Sequence, residues 1–274
     1  MTLAVGIDVG ATKIAAGRVD LDRGAVVAAE RAPTAARRGP RAVLDDCVGL
    51  ARSLADGAAV TAVGLAVCEL VGPGGRVRSH ETIDWRDVDV AAALSAIAPA
   101  RVESDVRAAA LAEARFGAGR GEPDFLYVSV GSGISHCLVV DGRARTGVRG
   151  SAIGTGAPLV ERWSSGRALA RRTGHRDAEA ALHDPEAATT IEDGARRLGL
   201  VLAALVNALD PGAVVFGGGL GLHAEYRARV VAAMRREVYD PDARGLPAVP
   251  AVLGADAGII GAALAASPPP ARPG

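Results

Sequence analysis

The chain reads as an α/β protein organised around glycine-bearing turns, and three observations predict this. Strand-like apolar runs alternate with helical stripes along most of its 274 residues. Two apolar hairpins, one at the start and one near the middle, each bend around glycine and carry a hydroxyl residue at the tip. Apolar residues make up 49% but aromatics only 3%, a balance dominated by alanine that favours helices and close backbone packing over aromatic stacking platforms.

Taken in order, Leu3 to Ile7 and Ile14 to Val19 predict a hairpin whose tip approaches a ligand through bare backbone. Gly10 leaves main-chain N–H groups open, Thr12 offers a hydroxyl, Lys13 a cation, and Asp8 a carboxylate suited to a hydrated magnesium ion. All four suit a nucleotide's polyphosphate, although a plain hairpin with a solvated Asp and Lys fits the same residues. Gly24 to Glu30 continues as a third strand, Pro33 to Pro40 is a loop, and residues 41 to 56 carry a helical stripe through Val43, Leu44, Cys47, Leu50, Ala51 and Leu54. Val60 to Val67 is a strand ending at Cys68-Glu69, and Gly72 to Gly75 is a turn. The polar stretch Ser79 to Val88 reads either as a substrate-facing loop or as a surface loop pinned by Trp85, with Asp87 or Asp89 capping the next helix.

Arg101 to Glu103 is a short strand, and Ser104-Asp105 opens an alanine-rich helix over 106 to 116. Asp105 is first of all a helix cap, a role compatible with catalysis because a helix N-terminus favours the anion. Phe125 to Val130 and Ser135 to Val140 form the second hairpin around Gly131-Ser-Gly-Ile134, with a turn at Asp141-Gly142. Helices are expected over 162 to 173, 187 to 209, 223 to 237 and 257 to 266, and a strand over Ala213 to Phe216 delivers the chain to Gly217-Gly-Gly-Leu220, where backbone can lie flat against a nucleoside. The terminal Ser267 to Gly274, rich in proline, is expected to be disordered.

Charge narrows the partners. Lysine plus arginine total 31, as do aspartate plus glutamate, so nucleic acid and membrane surfaces find no electrostatic footprint. The expected ligand is a small molecule. Cys47, Cys68 and Cys137 form no closely spaced pair and no signal peptide precedes them, which points to the reducing cytoplasm. No apolar run approaches the ~20 residues that span a bilayer. The five histidines are not spaced as metal pairs; only His136, after the second hairpin turn, is placed to touch a ligand.

Together these motifs resemble the ROK family of sugar kinases and repressors, within the actin-like ATPase superfamily. Asp8-x-Gly10-x-Thr12-Lys13 matches the family's first phosphate motif, Gly131-Ser132-Gly133-Ile134 its second, Val214 to Gly219 its adenosine-side glycines with Gly217 and Gly218, and Leu253 to Ala263 its C-terminal segment. The resemblance implies an α/β, two-lobed, ribonuclease-H-like fold with a central cleft, and lobes of 1–103, joined by the helix 257–266, and 104–256. It also implies ATP and magnesium as cofactors, a sugar hydroxyl as acceptor, and a homodimer. The family's catalytic aspartate falls on Asp105 in Glu103-Ser-Asp-Val-Arg-Ala-Ala109. Phosphoryl transfer asks mostly for positioning and charge neutralisation, plus a carboxylate to deprotonate the attacking hydroxyl.

The departures concern the acceptor. Where the family has a sugar-holding Glu and His, this chain has Ala152 and Thr155, and the zinc-binding cysteine segment is missing, so no zinc site is expected. Ser104 stands for an Asn beside the catalytic position, Arg107 for a later Asn, Cys68-Glu69 for a Pro-Gly, and Thr82 or a neighbour for an Asn in the loop before Trp85. Acids enter the acceptor side at Glu69 and at Glu81 or Asp84, while Arg107 and Arg149 either face the cleft or solvate it. A site without partners for each hydroxyl binds an uncharged hexose poorly, so an aminosugar or a cyclitol of secondary metabolism is expected before plain glucose. Glu69 either pairs with an acceptor ammonium group or points to solvent. The alternative is a catalytically degenerate relative that binds nucleotide or a metabolite without turnover; a repressor is disfavoured by a first strand that starts at Leu3.

Overall fold

A computed structural model describes residues 1–155 and 159–267 and divides the chain into two compact units. The expected tail lies outside the described residues except for Ser267, as do Gly156 to Pro158 of the segment after Thr155.

The first unit comprises residues 1–117, 144–152 and the C-terminal stretch from Ala255. Its sheet has the order β3-β2-β1-β4-β5, with β1 Leu3–Val9, β2 Lys13–Asp20, β3 Ala25–Pro33, β4 Val60–Val67 and β5 Ala100–Ser104. Strands β1, β4 and β5 run parallel, whereas β2 and β3 are antiparallel additions. Helix α1 (Pro40–Ala55) buries the stripe Val43, Leu44, Cys47, Ala51 and Leu54, and α2 (Val90–Ser95) is capped by Asp89, whose carboxylate accepts the Ala92 N–H at 2.9 Å. The apolar cluster that includes Val43 and Leu94 also takes in Val5, Ile7, Val9, Val63, Leu65 and Val67, the alternate, large residues of two neighbouring strands.

The small residues on the other register of the same strands receive the C-terminal helix, Ala257–Ala266. A Cβ on Gly6 would overlap the Ile259 carbonyl, and one on Gly64 would overlap that of Ala262. Glycine here is what lets a helix backbone lie directly on a sheet. Gly64→Ala is therefore expected to destabilise the protein by about 2–3 kcal/mol through overpacking, read as a lower midpoint in urea unfolding.

Helix α3 (Asp105–Phe116) is held in this unit by the same helix: Gly261 seats on the Ala108 carbonyl, and Ala66, Ala108 and Ala262 form a buried cluster. The boundary thus follows Gly117 and not Glu103 as expected, and 144–152 also joins the first unit.

The second unit comprises 118–143 and 153–254. Strands β6 (Phe125–Val130), β7 (Ile134–Val140), β8 (Arg143–Ala144), β9 (Ala213–Gly217) and β10 (Ala248–Pro250) form a sheet of order β10-β9-β6-β7-β8. The expected helix over 162 to 173 is two: α4 (Glu161–Ser164) and α5 (Gly166–Thr173). Ser165 between them is extended and its hydroxyl caps α5 by accepting the Ala168 N–H at 3.2 Å. After the short α6 (Ala178–Leu182), α7 (Ala188–Leu209) buries Ile191, Leu198, Leu202 and Val206 in the core. Short α8 (Gly219–Leu222) and α9 (Ala224–Glu237) follow β9, with Tyr226, Val230 and Met234 of α9 in the same core.

Candidate active site

Parallel strands deliver the chemistry of the first unit to one sheet edge. Val67 of β4 pairs with Val9 of β1 on one side and with Ser104 of β5 on the other. The residues that flank this row, Asp8, Cys68 and Asp105, therefore gather at the carboxyl ends of neighbouring strands, where α/β folds place ligands. The Cys68 thiol lies 3.4 Å from the Val9 carbonyl.

Asp105 is the first residue of α3, and the cap position belongs to Ser104. That corrects the expected capping role of Asp105. Its carboxylate accepts the N–H of Val106 at 2.7 Å, a bond that fixes its direction at the start of the helix. Burial pushes its carboxyl above the ordinary range, against the pull of the Val106 N–H and the Cys68 thiol. Burial likewise raises Asp8, to about 7, helped by the charge of Asp105 and opposed by Lys13. An acid whose ionisation is opposed by burial and by a neighbouring acid is suited to take up a cation or a proton.

Gly258, in the first turn of the C-terminal helix, lies against the Asp8 carboxylate so closely that a Cβ would overlap it. Among the described residues no hydrogen-bond donor reaches that carboxylate. An oxygen donor left open beside a second acid fits a hydrated magnesium ion, which keeps most of its waters and binds through one or two carboxylates. Among the described residues no group of three His, Cys, Asp or Glu side chains could hold a metal directly.

The tip of the first hairpin is a closed turn. The Gly10 N–H, expected to be open, donates to the Lys13 carbonyl at 3.0 Å, and buried Thr34 braces the turn, its hydroxyl donating to the Gly10 carbonyl at 2.7 Å and its N–H to the Thr12 carbonyl at 3.1 Å. Thr12 and Lys13 stand exposed at the tip. A Cβ on Gly10 would meet only the Lys13 carbonyl, at 3.4 Å, an ordinary contact, so the folded chain itself does not require glycine there.

The acceptor-side residues fall into different positions from those expected. Glu69 is 1% exposed and neither solvated nor free. Its Oε1 accepts the N–H groups of Thr82 at 2.6 Å and Ile83 at 3.1 Å, and its Oε2 accepts the N–H of Glu81 at 2.9 Å and the Ser79 hydroxyl. Four donors occupy the lone pairs that an acceptor ammonium would need, so Glu69 is the anchor of the loop and Thr82 is fixed to it by its backbone. Asp84 is exposed and gripped by the Arg86 guanidinium in two 2.7 Å bonds, which hold its carboxyl down at about 2; it does not present a free charge. Ser104 is fully buried, and its hydroxyl favours the ionised form of the neighbouring Asp105 carboxyl. Ala152 is exposed.

In the second unit, the turn Gly131-Ser132-Gly133 is closed by the Gly131 N–H on the Gly133 carbonyl at 2.9 Å, and the N–H of Gly166 holds the Gly131 carbonyl at 2.7 Å. Ser132 is exposed at the tip, and a Cβ on Gly131 would meet nothing. Of the other glycines, Gly217 packs against the Tyr127 hydroxyl and Gly218, at φ 75°, against the Val130 backbone. Both are held by close packing, whereas Gly219, at the start of α8, has nothing within 4 Å of where a Cβ would stand. His136 is buried, its N–H donates to the Ile153 carbonyl at 3.0 Å, and its Nδ1 is 3.0 Å from the hydroxyl of buried Thr155. Burial lowers its pKa, which favours the neutral ring.

Two participants escaped the sequence reading, and a third was placed wrongly by it. Thr34 braces the hairpin from 24 residues beyond Gly10. Glu161 brackets the second turn, accepting the Ile134 N–H at 3.2 Å. Arg107, read as facing a cleft or solvent, is fully buried and paired with Glu103; the i,i+4 spacing of opposite charges was its signal.

Comparison with known proteins gives the lineage. The ROK family model matches residues 4–268. A glucokinase of Streptomyces coelicolor is 29% identical, over 98% of this chain and 99% of its own. A kanosamine kinase of Amycolatopsis mediterranei is 27% identical, over 94% of this chain and 94% of its own. Among solved structures, a ROK glucokinase from Streptomyces griseus in complex with glucose and AMPPNP superposes with a TM-score of 0.82 at 27% identity, covering 96% of this chain and 98% of that one.

Proposed function

The chain belongs to the ROK family and its class is that of an ATP-dependent sugar kinase; on that premise we propose that it transfers the γ-phosphoryl group of ATP to a hydroxyl of an aminosugar or cyclitol in preference to plain glucose. Asp105 is the general base. The observation that carries this is the raised carboxyl of Asp105, held by the Val106 N–H at a strand end beside Asp8. A base works best when its pKa lies near the working pH. Thr12, Lys13 and the Gly131–Gly133 turn serve the phosphates, while Asp8 holds magnesium through water, an ion that when bound offsets phosphate charge.

Acceptor preference rests on two replacements, Ala152 and Thr155. A family carboxylate is replaced by the methyl of Ala152, and the imidazole position by a hydroxyl that is already bonded to His136. A sugar hydroxyl that expects a charged partner finds a neutral one, and lost polar partners are costly to a substrate built for them. The aminosugar reading is consistent with the relative named kanosamine kinase.

The test is ATP consumption by the purified protein over glucose, aminosugars and cyclitols. The expected result is a kcat/KM for an aminosugar or cyclitol at least about tenfold above that for glucose, a difference worth about 1.4 kcal/mol in transition-state binding. Glucose as the best acceptor would overturn the preference. ATP binding with no turnover on any acceptor would replace the reading by that of a non-catalytic relative.

A further inference from the structure

We propose that Arg107 is a positioning residue that holds the acceptor loop in register with Asp105, a role that rests on the kinase reading above. The side chain leaves the first turn of α3 two residues after Asp105 and is fully buried. Its guanidinium donates in three directions: Nε to Glu103 Oε1 at 2.6 Å, Nη2 to the Val71 carbonyl at 2.6 Å and Nη1 to the Gly150 carbonyl at 3.0 Å. Glu103 also accepts the N–H of Ser104 at 2.8 Å, so the ion pair is tied to the residue before Asp105.

Both carbonyls belong to segments with little freedom. Gly150, at φ 77°, sits so close to Val71 that a Cβ would overlap the Val71 carbonyl, and the neighbouring Arg149 carbonyl is taken by Arg78 Nη1 at 2.8 Å. From Val71 the connection runs back along the chain. Leu70 donates its N–H to the Ser79 hydroxyl at 2.8 Å, that hydroxyl donates to Glu69, and Glu69 accepts the N–H groups of Glu81, Thr82 and Ile83. One relay therefore links the catalytic helix, the corner at Val71 and the loop at 81–83.

The chemistry of the side chain explains why arginine occupies this place. A planar fork with five N–H donors can serve a carboxylate and two carbonyls at once, whereas an ammonium on a flexible stem cannot hold the same three directions. The Glu103 carboxylate compensates the buried charge, since an unpaired guanidinium would be expelled. No atom of Arg107 has to touch substrate for this role.

Arg107→Lys tests the relay because it keeps a cation opposite Glu103 and gives up the fork. The expected result is a kcat/KM for the acceptor lower by about 100-fold, the penalty of a small misplacement, with KM for ATP within about twofold of wild type. Hydrogen exchange at the Glu81, Thr82 and Ile83 amides should accelerate in the same variant, a readout independent of turnover. Glu69→Gln, which interrupts the relay at its other end, should raise KM for amino-bearing and amino-free acceptors alike and decides the matter if Arg107→Lys does not fold. Wild-type protection at 81–83 in Arg107→Lys, or an unchanged acceptor KM in Glu69→Gln, overturns the proposal. Faster exchange in a protein whose wild type turns over no acceptor would uphold the clamp and overturn the kinase reading alone.

Discussion

Asp105→Asn is expected to lower kcat by about 10²–10⁴-fold, the usual worth of a positioned general base, while leaving KM for ATP and acceptor nearly unchanged. The amide keeps the shape of the carboxyl and its oxygen still accepts the Val106 N–H, so the start of α3 is preserved. What disappears is the capacity to take a proton from the attacking hydroxyl. A second consequence follows from the neighbour: the charge of Asp105 helps to hold the Asp8 carboxyl at about 7, so its removal should let Asp8 ionise at lower pH. The variant is thus expected to bind magnesium-ATP better than wild type at mildly acidic pH while turning it over poorly, measurable by calorimetry and steady-state rates on one preparation. An unchanged kcat would remove Asp105 from the reaction.

How much of this was legible in the chain depends on the distance over which each residue finds its partner. Most strands of the two sheets follow from apolar runs, whereas β8 and β10 were not expected, and the C-terminal helix follows from its unbroken Ala, Gly, Ile and Leu. Asp89 and Asp105 stood out because helix starts are read within one turn. Even there, Ser104 rather than Asp105 is the cap residue, a shift of one place that no local pattern settles. The break at Ser165 had a signal, a serine followed by glycine inside the expected helix over 162 to 173.

Glu69 shows the limit. Its four donors come from residues 10 to 14 places later, and nothing in a glutamate after a strand announces that a loop will fold back onto it. Most acids are solvated, so the exception is visible only in coordinates. Arg107 is the converse case: its pairing with Glu103 was legible, but i,i+4 pairs usually mark a solvated face, and only the packing of Val71 and Gly150 around it makes the pair a buried one. Gly6 and Gly64 gave no sign of their role and Gly258 was read only as part of a motif, yet they are the condition for a helix to approach the Asp8 carboxylate.

Asp8 supplies a pH test of the whole arrangement. In the folded chain its carboxyl is raised from 3.8 to about 7, so between those values the native state holds a proton that the unfolded chain has released. Stability contributed by this group is complete below the unfolded value and is lost as pH rises toward the folded one. Asp8→Asn removes that loss: the variant should show a flatter stability profile between about pH 4 and pH 7, and should exceed wild type in chemical denaturation at about pH 8. Magnesium-ATP binding reverses the sign. A cation at the carboxylate needs the ionised form, so wild type should release a proton on binding at about pH 6, seen as a binding heat that varies with the ionisation enthalpy of the buffer. In Asp8→Asn that buffer dependence should vanish and affinity should fall by about tenfold or more, since one lost charge contact of about 1.4 kcal/mol is already a decade. Equal proton release by the two proteins would place the titrating group elsewhere and take the cation away from Asp8.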